Sequence, residues 1–567
     1  MSTSSTKSRH NKKRPPSPKN EAPAAPVSDH LPGEISQLTF RISAAAILIV
    51  GAVLRLFHLG LVPLHHDEGV NGNFLVSLVR QGTYTYDPQN YHGPTLYYFS
   101  AIPGWIARFF GGAGARDAYG LTTFNIRFVT AAFGVATIGL AFLLRKRLGA
   151  IGALSAGALI AISPGAVYLS RYFIHESLFV FFMLGVVVAA VKYYDTGAGV
   201  YLILAAISAA LMTATKETWI INAPVLLIAL ITTNAYFWLR KKMNADRVRA
   251  SRRDEPFLDR FGGPIGVATV ALVAFTVFIV FNVLFYSSFF SNYPKGVSDS
   301  LQTLALWRKR THEHVHPWYQ YIRWLLQKES IVLVLGGIGA LLALWRADNR
   351  FALFVAQWAF GLLAAYSLVG YKTPWIALNF IVPLALTSGY TLNVFYQKLR
   401  DFNQPLFFLA PAVLIVAFCG FQMYQLNFVH YDDDQYVYVY AHTRRETLVM
   451  LEQIDQVAQQ MKTGHDTGVA IVSPEYWPLP WYFRDYKRVG YYQKVVPTTE
   501  PVIIGSAGQE EEIKAMYGDQ YQLIDSSKLN DPRILPDRNP QGSFSLRPGV
   551  DLLLYVRRDV AKPAATN

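Results

Sequence analysis

Apolar residues dominate this chain in long unbroken runs, not in the short alternations of a soluble core. The runs lie at about 41–59, 123–144, 150–169, 177–194, 198–214, 218–239, 265–288, 329–345, 351–369, 375–396 and 405–425. A membrane-crossing helix needs roughly 20 mostly apolar residues. The eleven runs therefore predict a mainly α, polytopic membrane protein with about eleven transmembrane helices. The stretch 94–110, PTLYYFSAIPGWIARFF, has aromatic ends, an internal Pro103 and marginal length. It is expected to lie in the membrane interface. Beyond about residue 430 the pattern changes. Residues 443–462 carry an amphipathic helical period, while GVAIV (468–472), PVIIG (501–505) and DLLLYV (551–556) read as buried strands, with a short helix near 508–516. This predicts a small α/β domain at 429–558 behind a transmembrane domain at 39–428. Residues 1–38, rich in Pro, Ser, Lys and Arg, read as a disordered basic tail, and 559–567 as a second tail.

Composition sharpens this picture. Of 567 residues, 52% are hydrophobic and only 16% charged, against a usual charged fraction of about a quarter. A single water-soluble core and a largely disordered chain are both excluded. The net charge of +14 would raise nucleic acid as a partner in a soluble protein; in a membrane protein the side on which the positives lie is what matters. With 94–110 interfacial, the connections Arg145–Arg147, Arg240–Arg260, Arg346–Arg350 and Lys398–Arg400 all fall on one side, and the second of these holds eight Lys/Arg. That side is expected to be cytoplasmic together with the N-terminus, and the C-terminal domain extracytoplasmic. The lone Cys419 excludes an intramolecular disulfide and any multi-cysteine metal site. No glycine-rich phosphate loop is found on the cytoplasmic side.

Acids are missing from the interiors of the apolar runs and gather at their outer ends. HHDEGVNG (65–72) follows the first run and contains His66, Asp67 and Glu68. Two acids there can simply complement a helix N-terminus. A partly desolvated carboxylate can also act as a general base, and a carboxylate–histidine cluster can bind a divalent metal. YHGPTLYYF (91–99) adds His92 in the same outer loop. SRYFIHES (170–177) brings Arg171 and Glu176, ATKETW (214–219) brings Lys216 and Glu217, and GYKTPW (370–375) brings Lys372. Each signal has an ordinary reading as an ion pair or a snorkelling cation; their shared side makes them a candidate site. In THEHVHPWYQYIRW (311–324), His312, His314 and His316 alternate, which on a strand would place all three on one face as zinc ligands. Pro317 and the aromatics after it read instead as a loop entering an interfacial helix. The adjacent Arg308-Lys309-Arg310 is the main outer positive cluster, suited to an anionic headgroup or lipid phosphate.

HHDEGVNG followed by YHGP resembles the first outer loop of membrane glycosyltransferases with the C-type (GT-C) fold, the protein O-mannosyltransferases and aminoarabinose transferases among them. The chain is most similar to a prokaryotic branch called the flippase-activity-associated family, in which HHDE, YHGP, RYFIHE, TKET, HPWY and YKTPW recur in this order. WPLPWYFRDY (477–486) matches as well, so the resemblance spans roughly residues 40–490. It implies a glycosyltransferase of a prokaryotic plasma membrane. A sugar, mannose or another hexose, would pass with inversion from a polyprenyl-phosphate donor to a protein, lipid or glycan hydroxyl. In that frame Asp67 is the base, Glu68 its neighbour and Glu176 the second outer acid. Arg127, Arg171, Lys216 and Lys372 face the donor phosphate, and His66, His92 and Glu217 contact substrate. No cofactor beyond a divalent metal is implied. A lipid-linked sugar flippase and a non-catalytic glycan-assembly protein stay open as alternatives. Coupled transporters usually carry ionisable or broken-helix sites near the bilayer midplane, and this pattern offers almost none.

Overall fold

The computed structural model describes residues 35–90, 92–243, 263–309, 314–534 and 542–561. All but the last four residues of the expected 1–38 tail, and all but the first three of the 559–567 tail, lie outside the described residues. The helices are α1 (Gln37–Leu56), α2 (His66–Gln81), α3 (Thr95–Gly120), α4 (Thr123–Phe142), α5 (Ala150–Ile162), α6 (Pro164–Ser170), α7 (Glu176–Thr196), α8 (Gly199–Thr213) and α9 (Trp219–Met243). They continue as α10 (Gly263–Tyr286), α11 (Lys295–Lys309), α12 (Gln320–Lys328), α13 (Ser330–Arg346), α14 (Arg350–Leu368), α15 (Leu378–Asp401), α16 (Leu409–Tyr424), α17 (Glu446–Gln460) and α18 (Glu510–Tyr517).

Every predicted apolar run is helical. Among the described residues, eight helices are long and apolar enough to cross a membrane, and ten spans result if each of two bent pairs crosses once. The pairs are α5/α6, bent by 60°, and α12/α13, bent by 112°. The remaining run is α8, apolar but only 15 residues long. The chain is a multi-pass membrane protein. α15 forms the centre of the bundle, with 94% of its apolar window buried, whereas α10 has none buried and turns Leu272 and Phe275 outward. Exposed apolar side chains suit lipid, where no water competes for the backbone and only helices or closed barrels can cross. The stretch 94–110 extends into a longer helix, α3, broken at Gly112, whose φ of 77° suits glycine.

The breaks are held by buried charges. Ser163 interrupts α5/α6 and frees carbonyls that a continuous helix would use. Arg55 answers them, donating to the carbonyls of Ile160 at 2.9 Å and Ala161 at 3.1 Å. Glu329 sits at the second break and accepts from Ser163 Oγ and from the Gly165 N–H, both at 2.8 Å. One buried carboxylate thus joins both kinks. Glu329 opens the run at 329–345, and its edge position gave no sign of burial.

The C-terminal unit has a mixed sheet with strands β1 (Val469–Ile471), β2 (Val489–Tyr491), β3 (Val502–Ser506), β4 (Tyr521–Leu523), β5 (Phe544–Arg547) and β6 (Val550–Arg557). The order is β2-β1-β3-β6-β4, with β5 also paired to β6. β1, β3 and β6 are the three predicted strands, and α17 and α18 the two predicted helices. β1 pairs in parallel with β2 and β3, while β6 runs antiparallel to β3, β4 and β5. The apolar face of α17, with Val449, Met450 and Ile454, packs with Ile471, Ile504 and Leu554 of the sheet. The segment after β1 leaves the sheet to dock on α2, and this positions the site.

Candidate active site

Asp67 and Glu68 are neighbours in sequence with opposite surroundings, because successive helix residues are rotated by about 100°. Glu68 is fully buried. Its carboxylate accepts from the His65 N–H at 2.9 Å, closing a capping box at the start of α2. It also takes a bidentate pair from Arg127, at 2.7 Å from Nε and 2.6 Å from Nη2, and the Phe173 N–H at 2.7 Å. Asp67 keeps 41% of its side chain exposed. It faces a cavity of about 220 Å³ that is also lined by His66, His92, Glu176, Lys216 and Glu217.

Two loops meet at this cavity by backbone pairing. The Gly93 N–H donates to the Thr215 carbonyl at 3.0 Å, and the Thr95 N–H to Ala214 at 3.3 Å. A Cβ at Gly93 would stand 2.0 Å from the Ala214 oxygen, so only glycine fits. YHGP and TKET are therefore two halves of one contact. It brings His92 Nδ1 to 3.0 Å from Glu217 Oε2. Lys216 pairs with Glu176, which begins α7. Burial opposes the Lys216 charge, but Glu176 and Glu217 more than offset this and raise its pKa above the ordinary lysine value. Burial likewise opposes the Glu217 charge, while His92 and Lys216 bring its pKa below the ordinary range. Both stay ionised at neutral pH. Burial lowers the pKa of His66 more than Asp67 raises it, which favours the neutral ring.

Four of the expected site residues, Glu68, Arg127, Arg171 and Lys372, do not line the cavity. The Glu68 carboxylate is taken up by Arg127 and by the His65 and Phe173 N–H groups. Arg127 is spent on Glu68 and on the carbonyls of Leu59 and Val62, at 2.7 and 2.8 Å. Arg171 caps the end of α1 through the carbonyls of Leu54, Phe57 and His58. Lys372 is buried behind the wall, donating to the carbonyls of His316 and Val369, and burial lowers its pKa. Of the four cations expected at a donor phosphate, Lys216 alone lines the cavity. Sequence reasoning passed over Tyr371 and Trp375, which flank Lys372 and do line it. Side chains alternate in extended backbone, so an inward Tyr371 turns Lys372 away. Asn71, Asn90 and Tyr366 also line the cavity. Asn71 and Asn90 meet at the Tyr97 hydroxyl, each at 3.0 Å.

Among the described residues, His314 and His316 do not share one face of a strand. His314 has a left-handed φ of 47°, which breaks the strand period, and its Nδ1 lies 2.8 Å from the Tyr440 hydroxyl. His316 packs edge-on against Trp324. His312, Arg310 and the side chains of Arg308 and Lys309 lie outside the described residues. Among the described residues, no three His, Cys, Asp or Glu side chains converge as metal ligands.

The C-terminal unit packs against α2, the helix that carries Asp67. Pro478 and Trp481 pack on α2 at Gly69 and Gly72, where an added Cβ would come within 2.6 Å of each. The Leu64 N–H donates to the Tyr482 hydroxyl at 2.9 Å. Arg80 of α2 bridges Asp117 and Asp485. The glycines of HHDEGVNG are explained by this segment, about 400 residues away.

Residues 105–245 match the family model described as dolichyl-phosphate-mannose-protein mannosyltransferase. ArnT from Cupriavidus metallidurans, solved bound to undecaprenyl phosphate, aligns with a TM-score of 0.58 at 14% identity, over 93% of this chain and 99% of that one. The archaeal oligosaccharyltransferase AglB from Archaeoglobus fulgidus, solved with an inhibitory peptide and a dolichol-phosphate, gives 0.50 at 15% identity, over 84% and 70%. No curated protein sequence matches. At these identities the structural likeness is one of fold. The chain has the GT-C fold, and its residues 105–245 are similar to the protein O-mannosyltransferases.

Proposed function

We propose that this chain is a membrane glycosyltransferase that moves a hexose from a polyprenyl-phosphate donor to an acceptor hydroxyl. The observation that carries this reading is the exposed carboxylate of Asp67, fixed at the mouth of a polar cavity by a buried Glu68–Arg127 pair. Asp67 takes the proton of the acceptor hydroxyl as its oxygen attacks the anomeric carbon. The bond from that carbon to the phosphate oxygen breaks, and polyprenyl phosphate leaves with the electron pair. A single displacement of this kind inverts the anomeric configuration, through an oxocarbenium-like transition state. Lys216, already oriented by Glu176, is the fixed cation that meets the developing phosphate charge. Tyr371 and Trp375 give the sugar and the first isoprene unit an aromatic wall. The match to a dolichyl-phosphate-mannose-dependent family supports a lipid-phosphate donor. The polyprenyl and dolichol phosphates in ArnT and AglB point the same way. An inhibitory peptide on AglB makes a peptide one acceptor to try first.

We further propose that the cavity is extracytoplasmic and the membrane a prokaryotic plasma membrane. The basic connections at Arg145–Arg147 and Arg346–Arg350 lie at the opposite ends of the helices from Asp67, as the positive-inside rule requires. The division into a transmembrane domain at 39–428 and an extracytoplasmic domain at 429–558 belongs to the same proposal. The test is transfer from a labelled polyprenyl-phosphate hexose, with the product's anomeric configuration read by NMR. An inverted product supports the reading; a retained one, or no transfer from any of several donor sugars, sinks it.

A further inference from the structure

A second cavity, of about 320 Å³, opens at the other end of the bundle. α15 starts beside the Asp67 cavity and ends at this one, and its 24 residues span about 36 Å. That is close to the thickness of a bilayer's apolar core. The two cavities therefore sit on opposite membrane faces. Lys146 and Arg147 enter the second cavity from the α4–α5 connection, Arg346 from the end of α13, and Arg400 from the end of α15. Asp348 is the one acid in the wall among the described residues. It pairs with Arg346 at 2.7 Å and accepts from the Tyr390 hydroxyl at 3.0 Å. Arg147 is paired with Asp195 and Arg400 with Asp401, the latter at 3.9 Å, and both acids stand outside the wall. The wall thus holds four cations from three separate connections against a single carboxylate. A topological signal alone needs basic residues on this face; it does not need them gathered around one concavity. Apolar surface adjoins the charges. Ile35 and Val394 line the cavity, and exposed Trp345 and Phe402 stand next to Arg346 and near Arg400 in sequence.

We propose that this cavity binds a phosphate group, carried by an anionic lipid headgroup of that leaflet or by free phosphate. Basic residues at a membrane surface attract anionic headgroups, each adding to the affinity. The apolar rim adjoining the cations suits an acyl chain leaving the cavity. Nothing in the chemistry at Asp67 requires this second site.

The test uses the full-length protein in nanodiscs of phosphatidylcholine with a minor fraction of phosphatidylglycerol, with retained lipids counted by native mass spectrometry. Wild type is expected to retain phosphatidylglycerol selectively, and the double variant K146Q/R400Q to lose that selectivity by roughly tenfold or more. K146R/R400K should keep it, and so should K241Q/K242Q, which removes two charges from the same face outside the cavity. A parallel arm titrates inorganic phosphate onto protein in pure phosphatidylcholine and follows thermal unfolding. If phosphate stabilises wild type and not K146Q/R400Q, while phosphatidylglycerol shows no preference, the site stands and its ligand is soluble. If K241Q/K242Q loses lipid selectivity as fully as K146Q/R400Q, the effect is diffuse surface charge and the site is wrong. If neither ligand binds wild type preferentially, the proposal is overturned.

Discussion

The two ends of the helix bundle use charge in different ways. Around Asp67, Glu68–Arg127 and Glu176–Lys216 are buried pairs with short contacts on several sides. At the far end, Arg147–Asp195 and Arg346–Asp348 are pairs at the solvent edge, and cations outnumber acids around a shared cavity. A buried pair fixes geometry, because losing either member strands a charge in a low-dielectric setting. An edge pair is screened and replaceable, so it leaves its residues available to a ligand. At the Asp67 end, charge builds a frame around one free carboxylate; at the other, it makes a binding surface.

Substitutions can break this contrast. The largest effect on stability is expected for Glu68→Gln, which strands Arg127; breaking a buried pair from one side costs about 3–5 kcal/mol. Thermal unfolding in detergent should show a large fall in Tm for Glu68→Gln and little change for Asp67→Asn. Equal stability of the two would remove the distinction between frame and free group. Gly72→Ala comes next, since its Cβ would press on the Trp481 ring. Overpacking of this kind costs about 1–3 kcal/mol, and limited proteolysis should then release the C-terminal unit faster than from wild type.

The third test is pH. His65, His175 and His442 lie outside the spans, and burial holds each below the ordinary histidine value of 6.5. His65 Nδ1 accepts the Asp67 N–H at 3.0 Å, so Nε2 carries the proton and donates to the Tyr440 carbonyl at 3.1 Å. Protonating Nδ1 breaks the cap of α2. The folded state therefore binds fewer protons than the unfolded one just below pH 6.5, and stability falls as pH falls through that range. Tm should drop between pH 7 and pH 5, and His442→Gln should flatten the drop. At the opposite end Arg346→Gln is expected to cost at most about 1 kcal/mol, visible as a Tm shift near the limit of detection.

Much of the bundle could be read from the sequence, because lipid imposes length and apolarity on each span and the strands of the C-terminal unit are short and continuously apolar. The loops that meet at the cavity were also legible, since acids and histidines at the ends of apolar runs have few other places to go. Side-chain direction was not. Arg127, Arg171 and Lys372 sit in the right loops, but buried carbonyls and the Glu68 carboxylate claim their protons, and no local pattern encodes that competition. Nothing in the sequence marks Arg55 and Glu329 as buried, and the kinked helices explain why they are. Gly69 and Gly72 have no explanation in their sequence neighbourhood, because their reason is a Pro–Trp segment packed against them from the far end of the chain.

The central claim is that Asp67 is the base and Glu68 its support. The most direct measurement is the transfer rate of Asp67→Asn from a labelled polyprenyl-phosphate hexose, taken with its Tm and its affinity for the donor. Asp67→Asn is expected to keep the wild-type Tm and donor affinity while its rate falls by about 10²–10⁴. A variant that transfers at the wild-type rate, or one whose lost rate tracks a lost fold or lost donor binding, would contradict it.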